Sequence, residues 1–402
     1  MFNSKKIVLI VTGGVAAYKS AIFARLLMKQ GADVRVVMTQ SATEFVQPKT
    51  FSTLTGNAVL TDLFADDNLS EVAHITLADW ADYIFVVPAT ANIIAKMAQG
   101  IGDDAASTVL LARHTPTLVA PAMNEHMYYN PAMQRNLAQL QADGVLLIEP
   151  VTGLLAEGYA GKGRLPEPEA ILAQAEMLLH QLTGQLTGKH FIVTAGGTRE
   201  ELDPVRYLSN HSSGKMGYAL AQALLEQGAE VDLISTVTLP APVGANVLAV
   251  TSAEQMLWAL EDRFEAADGV VMAAAVADYR PAVIADQKIK KEAGQAMILK
   301  LVENPDVIAS LAVNKTKQFI VAFAAETQDL LANAQVKLQK KHADMLIAND
   351  VTKTDAGFGT DTNVVTILQP GQANETLPVA SKIDIARQIV GRITKALLEK
   401  EG

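Results

Sequence analysis

Two glycine pairs stand where an apolar run gives way to a helical pattern: Gly13-Gly14 after Ile7–Thr12, and Gly196-Gly197 after His190–Thr194. Such a pair lets a phosphate approach backbone amides at a helix N-terminus. Around the first pair the word is Gly-Gly-Val-Ala-Ala rather than G-x-G-x-x-G. The next strand ends Val37-Met38-Thr39, without the acid that would hold a ribose 2′-hydroxyl. Thr39, Ser41 and Thr43 offer hydroxyls instead, which suit a mononucleotide phosphate or a ribityl chain. The same residues also read as a turn with helix caps, and both readings stay open on these residues alone. Two further polar words, Pro88-Ala89-Thr90-Ala91-Asn92 and Pro121–Tyr128 with Met123 and Asn124, follow apolar runs and put polar groups at strand carboxyl ends. His74 lies upstream in Val72-Ala73-His74-Ile75; a lone histidine in that setting is ordinarily structural.

In the second half, Thr194–Glu200 is followed by Asp203–Gly217, a run containing Arg206, Asn210 and Gly214-Lys215. Gly214-Lys215 suggests a Walker loop, but Ser209 and Asn210 occupy the region of its first glycine. The Ser/Asn/Gly segment then reads as a capped helix start or as a phosphate loop. Further on, Ala273–Tyr279 carries Asp278 after a strand. Lys288-Ile289-Lys290-Lys291 is a basic cluster, which is ordinarily a solvated face. Asn304-Pro305-Asp306 reads as a turn before a helix, and Ala322–Thr327, with Phe323, closes another strand. Lys337 and Lys341 lie four apart, on one helix face.

The elements that must position these groups repeat. Strand, glycine turn, helix (about Ala17–Gln30), then Gln-Gly-Ala-Asp-Val (30–34) recurs as strand, glycine turn, helix (Gly214–Gln227), then Gln-Gly-Ala-Glu-Val (227–231). Later strands correspond as well, Asp82–Val87 beside Asp268–Ala274. The pattern predicts an α/β protein of two doubly wound, Rossmann-like parallel-sheet domains in tandem. The 402 residues suit two cores better than one. The expected boundaries are 1–182 and 190–402, joined by a hinge at 183–189 where Thr183-Gly184 and Thr187-Gly188 interrupt the helix pattern of Pro168–Leu182. A formal charge of −10 argues against nucleic acid as partner. No apolar run approaches the roughly 20 residues a membrane helix needs, and no leader-like segment precedes the first strand, so the expected location is the cytoplasm. With no cysteine in the chain, disulfides, thiolate metal sites and thiol nucleophiles are all excluded.

Gly13–Lys19, His74 and Pro121–Met127 resemble the homo-oligomeric flavin-containing cysteine decarboxylases, which share these motifs in this order over about residues 5–180. The resemblance implies FMN held by Gly13, Gly14, Ser20, Thr39, Ser41, Pro88, Ala89, Thr90, Asn92 and Met123. His74 would act as base or position the substrate, and Asn124 would hydrogen-bond the substrate carboxylate. Tyr128 replaces the usual tryptophan. The family's cysteine-containing flap is matched in frame by Leu155–Leu165, but Glu157 stands at the cysteine position. The expectation is that Glu157, its carboxyl made less acidic inside a closed flap, donates the proton instead. The alternatives are that the reductive step fails or that this half only binds flavin.

Over about residues 189–400, the run Asp203–Gly217 with Ala-Ala-Val-Ala-Asp-Tyr and Phe-Ala-Ala-Glu-Thr resembles the phosphopantothenate–cysteine ligase domain. The resemblance implies Arg206 and Asn210 at the acyl nucleotide, and CTP bound by Asp278, Lys288, Asn304, Pro305, Asp306, Val307, Phe323, Lys337 and Lys341. Mg2+ would travel with the triphosphate rather than sit in a protein cage. Both halves occur in the order of the bifunctional decarboxylase–ligase family, whose substrates are 4′-phosphopantothenate, L-cysteine and CTP. The family also implies a homo-oligomer, trimeric through the flavin half and paired through the ligase half. The alternative is a ligase whose flavin half serves only for assembly.

Overall fold

The computed structural model describes residues 1–64, 72–290, 296–326, 330–350 and 360–401. Lys291 and Thr327 of the motifs above lie outside them. The chain divides into two compact units, Met1–Leu179 and His180–Gly402.

The first unit is built on a six-stranded sheet: β1 (Lys6–Val11), β2 (Asp33–Met38), β3 (Val59–Leu60), β4 (Tyr83–Ala89), β5 (Thr117–Pro121) and β6 (Leu146–Leu147). Its order is β3-β2-β1-β4-β5-β6, and every pairing is parallel. Ile7–Val11 is fully buried, as a strand covered on both faces must be. Alternate residues feed opposite layers. Ile7, Leu9 and Val11 pack with Phe23 and Leu27 of helix Tyr18–Lys29. Val8 and Ile10 pack with Ile93 and Ile94 of helix Ala91–Gln99. Beyond the sheet, β7 (Val151–Leu154) and β8 (Ala160–Arg164) form an antiparallel hairpin.

In the second unit, β9 (His190–Ala195) leads to a hairpin of β10 (Arg199–Asp203) and β11 (Arg206–Ser209), then β12 (Glu230–Ser235), β13 (Ala245–Ala249) and β14 (Gly269–Met272). A second small hairpin, β15 (Tyr279–Pro281) with β16 (Leu301–Glu303), precedes β17 (Phe319–Glu326) and β18 (Met345–Asp350). The chain then adds β19 (Thr362–Asn363), β20 (Val365–Leu368), β21 (Glu375–Thr376) and β22 (Ala380–Ser381). The sheet runs β13-β12-β9-β14-β17-β18-β20-β21. Its first six strands are parallel and repeat the order of the first unit. The last two are antiparallel additions at one edge, so this sheet is mixed where a purely parallel one was expected.

Two sequence expectations change. The segment 183–189 is no free hinge: Leu186 is buried in the second unit's core and its N–H donates to Gln227 O. Between them, β10 and β11 meet at a tight turn over Pro204-Val205, where the Asp203 carboxylate accepts from Val205 N and Arg206 N. The helix Lys215–Glu226 starts on Gly214 at φ +75 without a side-chain cap, so glycine, not serine, sets its start. Among the described residues, no helix is long and apolar enough to cross a membrane.

Candidate active sites, one in each unit

In both units the strand order reverses beside the first strand, which opens a crevice at the carboxyl ends of the sheet. In the first unit this crevice is a cavity of about 820 Å³, lined by Gly13, Gly14, Thr39, Ser41, Thr90, Asn92, Met123, Asn124 and Glu157 among others. Thr12 closes its floor, donating to Pro88 O and accepting from Thr90 N. A Cβ on Gly13 would lie 2.4 Å from Ser41 Cβ, so only glycine lets these two loops meet. Thr39 lines the cavity and also caps the helix Gln40–Thr43, Ser41 lines the cavity, and Thr43 donates to Gln40 O outside the lining.

Not every expected flavin residue faces the cavity. Ser20 is fully buried and donates to Val87 O at 2.6 Å; it fastens helix to sheet. Pro88 and Ala89 are buried because β4 runs on through Ala89. His74, half-buried on helix Ala73–Trp80, is not among the cavity's lining residues.

The β7–β8 hairpin stands over this cavity. Its turn exposes Glu157, whose carboxylate has no hydrogen-bond partner among the described residues. The enclosed setting expected for that carboxyl is therefore not present in this hairpin position. Asn124 lies opposite, donating to the Tyr159 hydroxyl and accepting from His126 N. Sequence reasoning overlooked Lys19, which lines the cavity, is only 4% exposed, and donates to Leu165 O (3.0 Å) and Glu167 Oε1 (2.9 Å). Its signal was a lysine on an otherwise apolar helix face. The Lys19 ammonium holds the Glu167 carboxyl below its ordinary range. Lys96, clamped by Asp103 and Asp104, also lines the cavity and was not anticipated.

In the second unit a cavity of about 690 Å³ is lined by Asn210, Asp278, Asn304, Pro305, Asp306, Val307, Phe323, Lys337 and Lys341. These residues come from positions spread over more than a hundred residues of chain, and the ends of β14 and β17 bring them together. A smaller chamber of about 130 Å³ beside Ser212–Gly217 shares Ala274, Ala275, Phe323 and Ala324 as walls. Asn210 donates to Val276 O, and Asn304 donates to Ala277 O. Asp306 caps the helix Val307–Val313 and lies 3.7 Å from Lys341. Arg280, which sequence reasoning left out, donates to Asn304 Oδ1 (3.0 Å) and Glu303 O (2.8 Å) and pairs with Glu254.

Two expected residues stand apart from this cavity. Arg206 forks onto the buried Asp203 carboxylate and reaches Ile289 O, so its guanidinium joins the hairpin to the 288–290 segment. Arg206 beside Asp203 holds that carboxyl far below the usual carboxylate range. Lys288 is exposed and outside the lining. Among the described residues, no group of three or more His, Asp or Glu side chains could hold a metal ion.

The family described as Flavoprotein matches residues 1–180. The family described as DNA/pantothenate metabolism flavoprotein C-terminal domain matches residues 186–397. The chain is 47% identical over 404 residues to the coenzyme A biosynthesis bifunctional protein CoaBC of Bacillus subtilis (strain 168), covering 100% of this chain and 99% of that one. The chain belongs to the bifunctional CoaBC family. The CoaBC of Vibrio vulnificus (strain YJ016) is 44% identical over 97% of each chain. A solved C-terminal domain of a CoaBC protein is 36% identical over 54% of this chain and 100% of its own, with a TM-score of 0.47. As a CoaBC-family enzyme, the chain joins a flavoprotein decarboxylase unit to a ligase unit.

Proposed function

We propose that the second unit uses CTP to join 4′-phosphopantothenate to L-cysteine, and that the first decarboxylates the resulting 4′-phosphopantothenoylcysteine with FMN. The observation that carries this reading is convergence: every expected nucleotide residue except Lys288 lines one cavity together with Asn210. In the ligase unit the acid's carboxylate displaces diphosphate from CTP, and the cysteine amine then attacks the acyl cytidylate and releases CMP. Lys337 and Lys341 offset the triphosphate charge, with Mg2+ arriving on the nucleotide. Arg206 acts through the hairpin, fixing the segment that carries Lys288.

The first cavity fits FMN in size, since cofactor pockets span roughly 300–1,000 Å³, and its glycine cradle admits a phosphate where a Cβ would collide with Ser41. Gly13, Gly14, Thr39, Ser41, Thr90, Asn92 and Met123 would hold the group. When bound, FMN supplies the two-electron acceptor that lets the substrate lose CO2. Asn124 holds the carboxylate, the hairpin excludes water, and Glu157 carries the proton for the carbon that loses CO2. His74, Arg206 and Lys288 stand outside the cavities of their own units. Association of copies, trimeric through the first unit and paired through the second, is the arrangement in which His74 and Lys288 would reach a site.

The exposed, unpaired Glu157 favours a second reading, a ligase whose flavin unit has lost its reductive step. One assay separates the two. Purified protein given FMN, CTP, phosphopantothenate and cysteine should release CMP, CO2 and product thiol in equal amounts; CMP and CO2 without the reduced product thiol supports the second reading, and CMP alone means a flavin unit that does no chemistry. Glu157→Gln should abolish thiol formation while CMP is unchanged, and unaltered thiol output would remove Glu157 from the mechanism.

A further inference from the structure

The β7–β8 hairpin is fastened unequally along its length. At its root, Gly163 sits at φ +131 with an added Cβ only 2.2 Å from Met123 O, and Met123 N donates to Gly163 O. Lys162 N donates to Glu125 Oε1, and the buried Lys19 holds Leu165 and Glu167. At its turn, among the described residues, the one side-chain hydrogen bond to the cavity floor runs from Asn124 Nδ2 to the Tyr159 hydroxyl, at 2.7 Å.

That bond has a defined polarity. Asn124 Oδ1 is occupied by His126 N at 2.9 Å, so the amide must turn its NH2 towards the hairpin. One N–H goes to Tyr159 and the second is left for a ligand. Because the phenol oxygen accepts from Asn124, its own proton is free to be donated. An amide N–H and a phenol O–H, 2.7 Å apart at their heavy atoms, form a two-donor set for a single carboxylate.

We infer that Tyr159 recognises the substrate carboxylate together with Asn124, and so links hairpin closure to the presence of the group that is to be lost. This rests on the decarboxylase reading above and adds its specificity element. Once CO2 has left, the two donors have no common acceptor, the turn loses its hold on the ligand, and the product departs.

The test uses the full-length, FMN-loaded protein and two unreactive ligands: the serine analogue of the acylcysteine substrate, which keeps the carboxylate, and its descarboxy ethanolamine counterpart. Binding is read from the flavin absorbance change. Tyr159→Phe keeps the ring, which sits 38% exposed at the turn, and removes only the hydroxyl. The expected result is about tenfold or greater weakening for the carboxylated ligand, the scale of one hydrogen bond to a charged group, with the descarboxy ligand changed less than twofold. Adding Asn124→Ala to Tyr159→Phe should weaken the carboxylated ligand by less than the product of the two single effects. Equal weakening of both ligands, no weakening of the carboxylated one, or loss of FMN by Tyr159→Phe would each overturn the assignment. If the wild-type protein bound neither ligand, the decarboxylase reading itself would fall.

Discussion

The ammonium of Lys19 lies 2.9 Å from Glu167 Oε1, across 148 residues of chain, with Leu165 O at 3.0 Å. A helix that borders the first unit's cavity thus holds the foot of the hairpin that covers it. Lysine is rarely buried unless it is paired, and here three acceptors share one cation.

Lys19→Met should therefore leave two carbonyls without their donor, destabilising the first unit by about 1–3 kcal/mol. Denaturant unfolding followed by flavin absorbance would measure this. Decarboxylation should fall while CMP formation by the second unit stays at the wild-type level. An unfolding midpoint unchanged from wild type would show that the contact is dispensable.

Arg280 orients Asn304 at the rim of the ligase cavity, and the Asn304 amide in turn donates to Ala277 O. Lysine has no planar fork with which to hold Asn304, Glu303 and Glu254 together. Arg280→Lys should raise KM for CTP about tenfold, roughly 1.4 kcal/mol, with little change in kcat. A loss confined to kcat would place Arg280 in the chemical step instead.

Asp203 supplies a pH signature. Its carboxyl is more acidic in the folded protein than in the unfolded chain, because Arg206 and three backbone N–H groups stabilise the anion. Its contribution to stability is thus fully present above the unfolded value of about 3.9. It is lost as pH falls from there towards the lower folded value. Asp203→Asn removes it, so the two proteins should differ in Tm at pH 7 and draw together below about pH 4. A gap in Tm that stays constant down to pH 3 would refute the linkage.

Much of this was legible in the residues. Buried parallel strands announce themselves as unbroken apolar runs such as Ile7–Val11, and the first strand of each unit is punctuated by a glycine turn. Two copies of that pattern predicted two doubly wound sheets, and both units carry the same six-strand parallel order. The residues that the family resemblance offered for the nucleotide, all but Lys288, line one cavity.

The misses share a cause. Ser20, Pro88 and Ala89 stand beside the right motif, yet all three are buried, with Ser20 donating to Val87 O and Ala89 packed in the core. A residue's type is written in the chain, but its direction depends on where its strand ends, and β4 ends later than its sequence suggested. Arg280 and Lys19 were missed for the opposite reason. Their partners are distant in the chain or belong to a turn of other purpose, and the one local mark of Lys19 is the apolar helix face that carries it.

By itself the sequence determined the chemistry on offer: glycine turns, amides, carboxyls and lysines in family-like motifs, and no thiol anywhere. Local pattern decided strands, helices and the tandem repeat, since periodicity and turn residues act over a few positions. Tertiary structure alone decided which of those groups share a cavity and that the Asn124 amide meets the Tyr159 hydroxyl. Those outcomes depend on contacts closed over long stretches of chain, whose energies no short segment contains.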